Sequence, residues 1–503
     1  MKKTGFDNEK YLKEQTRYIT ERMQKVDGRL YLECGGKLLF DYHAQRILPG
    51  FDTNVKMRVF QSFKDQLDVI ICISSGDIEH RKVRSDFGIT YDTDVFKMIS
   101  DFEQWGISAN KVVITRFNGE KSALSFSDML QRRGVQVFFH KSIPGYPENV
   151  DLVVSDEGYG INPYVPTDKP VVVVTAPGPG SGKLATCLGQ IYHEFRQGRK
   201  AGYAKYESFP IWNLPIDHPV NIAYEAATAD LGDYNQIDPF YASATGNIAV
   251  NYNRDIEAFP ILRKILDKLT DGKFVYNSPT DMGVNRLGFG IIDDAVVREA
   301  ARQEIVRRYF RSECEYVQGI GSKETMLRTR TIMEKSGLKP EDRECVIKAE
   351  EALQDAIERG KNKNGKTCAA AMLLNDGRFV TGHNSSLLHA SSALVINALK
   401  ALAGINHEIE LIPFPVLDSV RKMKSTLSEP GISLNLDEML ICLAMSAPMN
   451  PAAQLALEKL PELKGCEAHL SHIPSAGDSK GLRKLGINVT SEPKFPSNNS
   501  ISF

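Results

Sequence analysis

Val171-Val172-Val173-Val174-Thr175-Ala176-Pro177-Gly178-Pro179-Gly180-Ser181-Gly182-Lys183-Leu184-Ala185-Thr186 is the stretch from which the fold can be read. A β-branched run with no polar break fits a strand buried on both faces, as in a parallel sheet. It enters a glycine-rich turn and then a helix-period segment with Leu184, Cys187, Leu188, Ile191 and Phe195 on one face, ending near Gly198. Glycines let a backbone approach an anion closely, and the unpaired N–H groups at a helix start hold a phosphate. Lys183 adds a compact positive charge. The expected phosphate contacts are Gly178, Gly180, Ser181, Gly182, Lys183 and Thr186, and the expected ligand is a phosphorylated small molecule or nucleotide. The same residues also suit a tight strand-to-helix turn that needs glycine only for its backbone.

The turn resembles a Walker A loop in part. The pattern G-x-x-x-x-G-K-[ST] asks for glycine at 177, which is proline, and for Ser or Thr at 184, which is leucine. The missing hydroxyl removes the usual magnesium ligand; if a nucleotide binds with magnesium, Thr186 is the nearby substitute. The loop also follows what reads as the last strand of its domain, whereas P-loop folds place it after the first.

Working outward, further apolar runs stand at Asp68–Ile73, Lys111–Thr115, Val135–Phe139 and Leu152–Ser155, with helix-period stretches at Asp94–Trp105 and Ser125–Arg133 between them. Strands alternating with helices predict a multidomain α/β protein whose N-terminal domain, 1–210, holds a parallel sheet. Ligands bind such sheets at the carboxyl ends of the strands, which singles out the loops at Ser74–Asp77, Thr115–Asn118 and 176–182. Residues 211–366 form a second region. It is loop-rich to about 292, apart from an amphipathic helix over Ile256–Leu269, and helical from Asp293 or Asp294, either of which can cap. Its charged segment Glu341–Gly360 reads as a solvated helix, and Lys361–Lys366 as a hinge. The carboxylates Glu225, Asp230, Asp233, Asp238 and Asp255, with Lys205, Glu207, His218 and Arg254, are candidates for metal or proton chemistry. As isolated polar residues in turns they equally suit capping.

The third region, 367–503, is expected to be a smaller α/β domain: a hairpin of Cys368–Leu374 and Arg378–Thr381 about Asn375-Asp376-Gly377, a helix over Ala390–Ala403, strands at Glu408–Pro413, Leu440–Met445 and Glu467–Ile473, and a helix over Ala452–Leu460. His383, His389, His407, His469 and His472 all fall here. Cys466-x-x-His469-x-x-His472 suggests a metal, but on a strand His469 and His472 face opposite ways, so ordinary hydrogen-bonded histidines are expected.

Composition bounds the function. The chain has 503 residues, 62 basic and 63 acidic side chains and a formal net charge of -1. A balance so close to neutral gives no global field for nucleic acid. No apolar run reaches the roughly 20 residues of a membrane span. MKKTGFDNEKYLKEQ has no apolar stretch behind its lysines, which argues against a signal peptide. The eight cysteines are scattered, without zinc-ribbon or disulfide spacing. A cytoplasmic protein with buried reduced thiols is the expectation.

Thr381-Gly382-His383-Asn384-Ser385 leading into Leu388-His389-Ala390-Ser391, with Pro448-Met449-Asn450-Pro451-Ala452 further on, gives the C-terminal region a resemblance to the cytidine-deaminase fold. Active deaminases carry H-x-E and P-C-x-x-C around zinc. By that resemblance His389 stands at the zinc histidine, while Ser391, Met449 and Ala452 replace the glutamate and both cysteines. The implied domain is deaminase-like, holds no zinc and is unable to deaminate. The segments Gly36–Arg46, Thr175–Lys183 and Ile473–Asp478 make the whole chain similar to a bacterial family of conserved proteins known as a domain of unknown function. That resemblance implies no reaction. The leading expectation is an enzyme whose reaction and catalytic residues the sequence does not assign, binding its phosphorylated ligand at 176–186. The alternative is a non-catalytic assembly or ligand-sensing protein, and under either reading the partners expected beside the small molecule are further copies of the chain, as a homo-oligomer.

Overall fold

The computed structural model describes residues 3–26, 28–84, 88–272, 276–360, 367–427 and 433–496. Contacts divide the chain into a first unit, Thr4–Glu225 with Gly232–Ala301, and a second unit, Arg302–Phe503 with Met1–Lys3 and Ala226–Leu231.

The first unit is built on six parallel strands: β1 (Arg29–Cys34), β2 (Leu67–Ser74), β3 (Lys111–Thr115), β4 (Gln136–Phe139), β5 (Val171–Thr175) and β6 (Ala201–Tyr206). Their order is β4-β3-β2-β5-β1-β6. β5 therefore lies inside the sheet, between β2 and β1, with Val173 opposite Leu32 on one side and Val69 on the other. Burial on both faces explains its unbroken valines. One face packs Leu30, Leu32, Val171 and Val173 against Phe60, Val95, Phe102 and Phe126. The other packs Tyr31, Val172, Val174 and Tyr203 against Cys187, Leu188, Ile191, Leu262 and Leu266.

Two expectations for this unit are corrected. The loop 176–182 does not follow the last strand, since β6 comes after it. Residues 152–155 form no strand: Val150–Val153 is a single helical turn whose Leu152 N–H donates to the Asn149 side chain at 3.2 Å. An apolar run this short suits either structure, and here the Asn149 cap decides. Between 211 and 292 the loops carry more structure than expected, including the helices Pro219–Ala227, Pro239–Thr245 and Asn253–Leu269 and the pair Asn235–Ile237/Val250–Tyr252.

The second unit holds a four-stranded sheet of β7 (Ala369–Leu373), β8 (Phe379–His383), β9 (Glu467–Leu470) and β10 (Asn488–Ser491), ordered β8-β7-β9-β10. The hairpin β7/β8 is antiparallel as expected, and Asp293 caps the helix Asp294–Val317 through Val296 N–H at 3.2 Å. Two expected strands are not strands. Leu440–Met445 lies within the helix Leu436–Ser446, opened by reciprocal bonds between Asn435 and Glu438. Residues 408–413 are turns that bury Leu411 and Ile412 before the helix Phe414–Leu427. The expected hinge at 361–366 lies outside the described residues. No helix among those described is long and apolar enough to cross a membrane.

Candidate functional site

From β1 the chain crosses over β5 to reach β2, and from β5 it crosses over β1 to reach β6. These neighbouring strands therefore send their connections in opposite directions. With right-handed crossovers the two connections fall on opposite faces of the sheet. Phe60, from the first connection, packs on one face, and Cys187, from the second, packs on the other. A crevice opens at such a point, at the carboxyl ends of the strands.

The glycine-rich loop lies at this edge. Gly180 and Gly182 have φ of 74° and 83°, the left-handed region that glycine enters without penalty. A Cβ on Gly182 would also stand 2.9 Å from the Thr115 side chain, and one on Gly178 would stand 2.2 Å from the Tyr91 hydroxyl. Ser181 is buried, and its hydroxyl donates to the Gly178 carbonyl at 3.0 Å. Its own carbonyl accepts from Thr115 Oγ1 at 2.9 Å. The loop is thus tied to β3 as well as to β5. Gly182 caps the helix Lys183–Arg196 with no side-chain cap, and the N–H groups of Lys183, Leu184 and Ala185 have no acceptor among the described residues.

Lys183 is half-buried and forms no ion pair among the described residues. Its charge acts on the buried thiols of Cys34, Cys72 and Cys187, against the upward push of burial on each. Thr186 behaves differently. Its hydroxyl is buried and donates to the Gly182 carbonyl at 3.0 Å, within the helix. Gly178 to Lys183 share one loop; the Thr186 hydroxyl is turned into the helix.

A polar cluster, in part unforeseen from the sequence, stands beside the loop. Glu33 of β1 lies opposite Lys205 of β6 in register, on the face that carries the helix Lys183–Arg196. Tyr203 donates to Glu33 Oε2 at 2.6 Å. Lys205 Nζ meets both Asp255 oxygens at 2.6 and 2.7 Å, the Tyr252 hydroxyl at 2.6 Å and Glu207 at 3.4 Å. Tyr252 in turn donates to Glu207. Gly35 leaves room for this, because a Cβ there would stand 2.1 Å from Glu207 Oε1.

Three carboxylates share one ammonium in this cluster. Burial pushes Asp255 up to about 6, Glu207 and Glu33 adding to the shift and Lys205 opposing it. Lys205 is held above its usual range by the same carboxylates, against burial. Tyr146, from the loop after β4, is pushed up to about 12 by burial and by Glu33, and Arg116 acts on it in the opposite sense. Lys205, the carboxylates about it and the Tyr203 and Tyr252 hydroxyls thus combine cationic, acid–base and hydroxyl functions in one cluster.

The remaining polar candidates disperse into structural roles. Asp233 pairs with Arg254, Asp238 caps the helix Pro239–Thr245, Glu225 binds Asn235, and His218 meets Asp294 at 2.9 Å. Asp230 is exposed. Glu33 escaped notice because β1 reads Arg-Leu-Tyr-Leu-Glu-Cys, with charges at both ends; strict alternation of Leu30, Leu32 and Cys34 was the available signal.

In the second unit, His469 on β9 bonds Thr490 at 2.9 Å and Glu492 at 3.2 Å, while His472 lies beyond the strand. His389 precedes the helix Ala390–Ala403 and pairs with Asp478. Met449 is exposed and makes no bond to His389. Among the described residues, no group of three or more His, Cys, Asp or Glu is arranged to hold a metal ion.

Residues 4–337 match the model of the domain of unknown function DUF1846, N-terminal, and residues 341–500 match its C-terminal counterpart. The chain belongs to the DUF1846 family. It is 52% identical over 496 residues to a UPF0371 protein of Clostridium botulinum (strain Eklund 17B / Type B), and 51% identical over 496 residues to one of Clostridium tetani (strain Massachusetts / E88). Each alignment covers 98% of both chains. The glycine loop and the Lys205 cluster both fall within the N-terminal DUF1846 model, and His389 and Asp478 within the C-terminal one.

Proposed function

We propose that the first unit binds a phosphorylated small molecule or nucleotide in the crevice between β5 and β1. The observation that carries this reading is the unpaired Lys183 ammonium beside the free N–H groups of Lys183, Leu184 and Ala185, at the carboxyl edge of a parallel sheet. Gly178, Gly180, Ser181 and Gly182 shape the cradle. Thr186 supports the start of the helix. Buried and already accepting from the Cys72 thiol at 3.5 Å, the Thr186 hydroxyl is closed to a magnesium ion arriving with a nucleotide. The ligand's remaining groups meet Glu33, Lys205 and Asp255. This reading places the protein in the cytoplasm with small molecules as partners, rather than nucleic acid or a membrane.

Calorimetry and thermal melting of the full chain with inorganic phosphate, ribose 5-phosphate, ATP and GTP test it. At least one phosphorylated probe should bind and raise the melting temperature, and Lys183→Ala should abolish that effect while the unliganded protein stays folded. Stabilisation undiminished in Lys183→Ala, or no binding by any probe, overturns the proposal.

The deaminase-like reading of residues 367–503 is kept as a second proposal, for assembly or ligand sensing. His389 stands at the N-cap of the helix that follows the hairpin β7/β8, which supports it. The partner His389 finds is Asp478, so any function of this unit starts from that pair.

A further inference from the structure

The reading above leaves the His389–Asp478 pair of the second unit unused. His389 Nδ1 lies 2.7 Å from Asp478 Oδ2, across 89 residues of chain. Asp478 is 1% exposed and fully engaged: Ser475 Oγ donates to Oδ2 at 2.6 Å, and the Leu436 N–H donates to Oδ1 at 3.0 Å. Burial pushes its carboxyl up, but His389, Ser475 and Leu436 outweigh burial and hold it below the usual range. An ionised acceptor at Nδ1 keeps the proton there and leaves the Nε2 lone pair free. The His389 side chain is 30% exposed, so Nε2 is open to a ligand.

The surroundings supply donors. The helix Ala390–Ala403 has no side-chain cap, and the N–H groups of Ala390, Ser391 and Ser392 have no acceptor among the described residues. The Ser391 hydroxyl is fully buried and has no partner. Side chains lean toward the start of their helix, so it faces the same end as those amides. A buried polar group left over in this way asks for a functional reason. Nearby His472 is buried, and burial pushes it down to about 4, so it is neutral; Asp478 and His389 act on it in opposite senses. The exposed Lys494 adds a positive charge beside it. Asp478 is committed to the ring, and Glu492, on which Lys494 also acts, is committed to His469 at 3.2 Å.

We propose that this is a second functional site, for a small molecule that presents an anionic group to the start of the helix and a hydroxyl to His389. Nε2 accepts a hydrogen bond from that hydroxyl, and the buried Asp478 holds the ring in the tautomer that can accept it, as a positioning residue.

Diethyl pyrocarbonate, which acylates the free imidazole lone pair, tests the proposal on the full chain, with mass spectrometry reading each histidine. His389 should react faster than the more exposed His407. Asp478→Asn should slow it by about tenfold or more, because the tautomer is no longer enforced. Inorganic phosphate should protect His389 saturably, Lys494→Ala should weaken that protection, and Lys183→Ala should leave it unchanged. That last arm separates this site from the glycine loop. Ser475→Ala, which removes one bond to Asp478 without touching the ring, should slow the reaction less than Asp478→Asn and covers the case in which that variant fails to fold. Imidazole nitrogen NMR reads the tautomer directly. A proton on Nε2, a His389 rate equal to that of His407, or no protection by phosphate overturns the proposal.

Discussion

Glu467, itself half-buried, shows how the charge of two buried guanidinium groups is kept. Arg343, 1% exposed, donates to it at 2.7 Å and spends its other donors on Thr490, Ala468 and Asn488, while Arg307 donates to it at 2.9 Å. Burial pushes the Glu467 carboxyl up, but the two guanidinium groups win and hold it down to about 2. A carboxyl depressed in the folded state adds stability that is complete above its unfolded value of 4.5 and is lost as pH falls from there to about 2. Glu467→Gln should therefore cost roughly 3 kcal/mol at neutral pH, by leaving buried guanidinium groups short of charge. It should also flatten the loss of stability between those two pH values. Urea denaturation of both proteins at neutral and acid pH checks this; equal acid sensitivity would contradict it.

At the scale of elements, the sequence is most transparent where burial is uniform. β2, β3 and β5 are buried on both faces, so their apolar runs are continuous and readable. β1 and β6 were not legible, because Glu33 and Lys205 interrupt them; those charges are tolerated only because the strands pair and place them in one cluster. The opposite error occurred at Leu440–Met445, where a continuous apolar run is a helix. A run of this length suits either structure, but Asn435-x-x-Glu438 ahead of it is a capping box in plain sight. Because Asn435 meets the Glu438 N–H at 3.1 Å, Asn435→Ala should cost about 1 kcal/mol and Asn435→Gly only a few tenths. Chemical denaturation of the two variants measures the difference, and an inverted order would show that the cap is not what starts this helix.

For the whole molecule, eight cysteines without a disulfide are consistent with folding that relies on packing. Seven are buried and Cys314 is half-buried, with its thiol pushed up to about 11 by burial. Native protein should therefore react slowly with Ellman's reagent, Cys314 first, and its melting temperature should be the same with and without reductant. Rapid labelling of several thiols, or a melt that shifts with reductant, would contradict this packing.

The amino-acid sequence by itself determined the strand-turn-helix at 171–196, the parallel α/β class of the first unit and the hairpin that opens the C-terminal sheet. Each of these depends on periodicity and on glycine, which act over a few neighbouring residues. Only the tertiary structure decided that β5 lies between β2 and β1, that Glu33, Lys205 and Asp255 share one cluster, and that His389 finds Asp478. These partners are far apart in the chain, and no local pattern encodes which of many carboxylates will be brought to a given base. The sheet order and the burial of each charge settle it, because a charge removed from water is stable only where another part of the fold already supplies its partner.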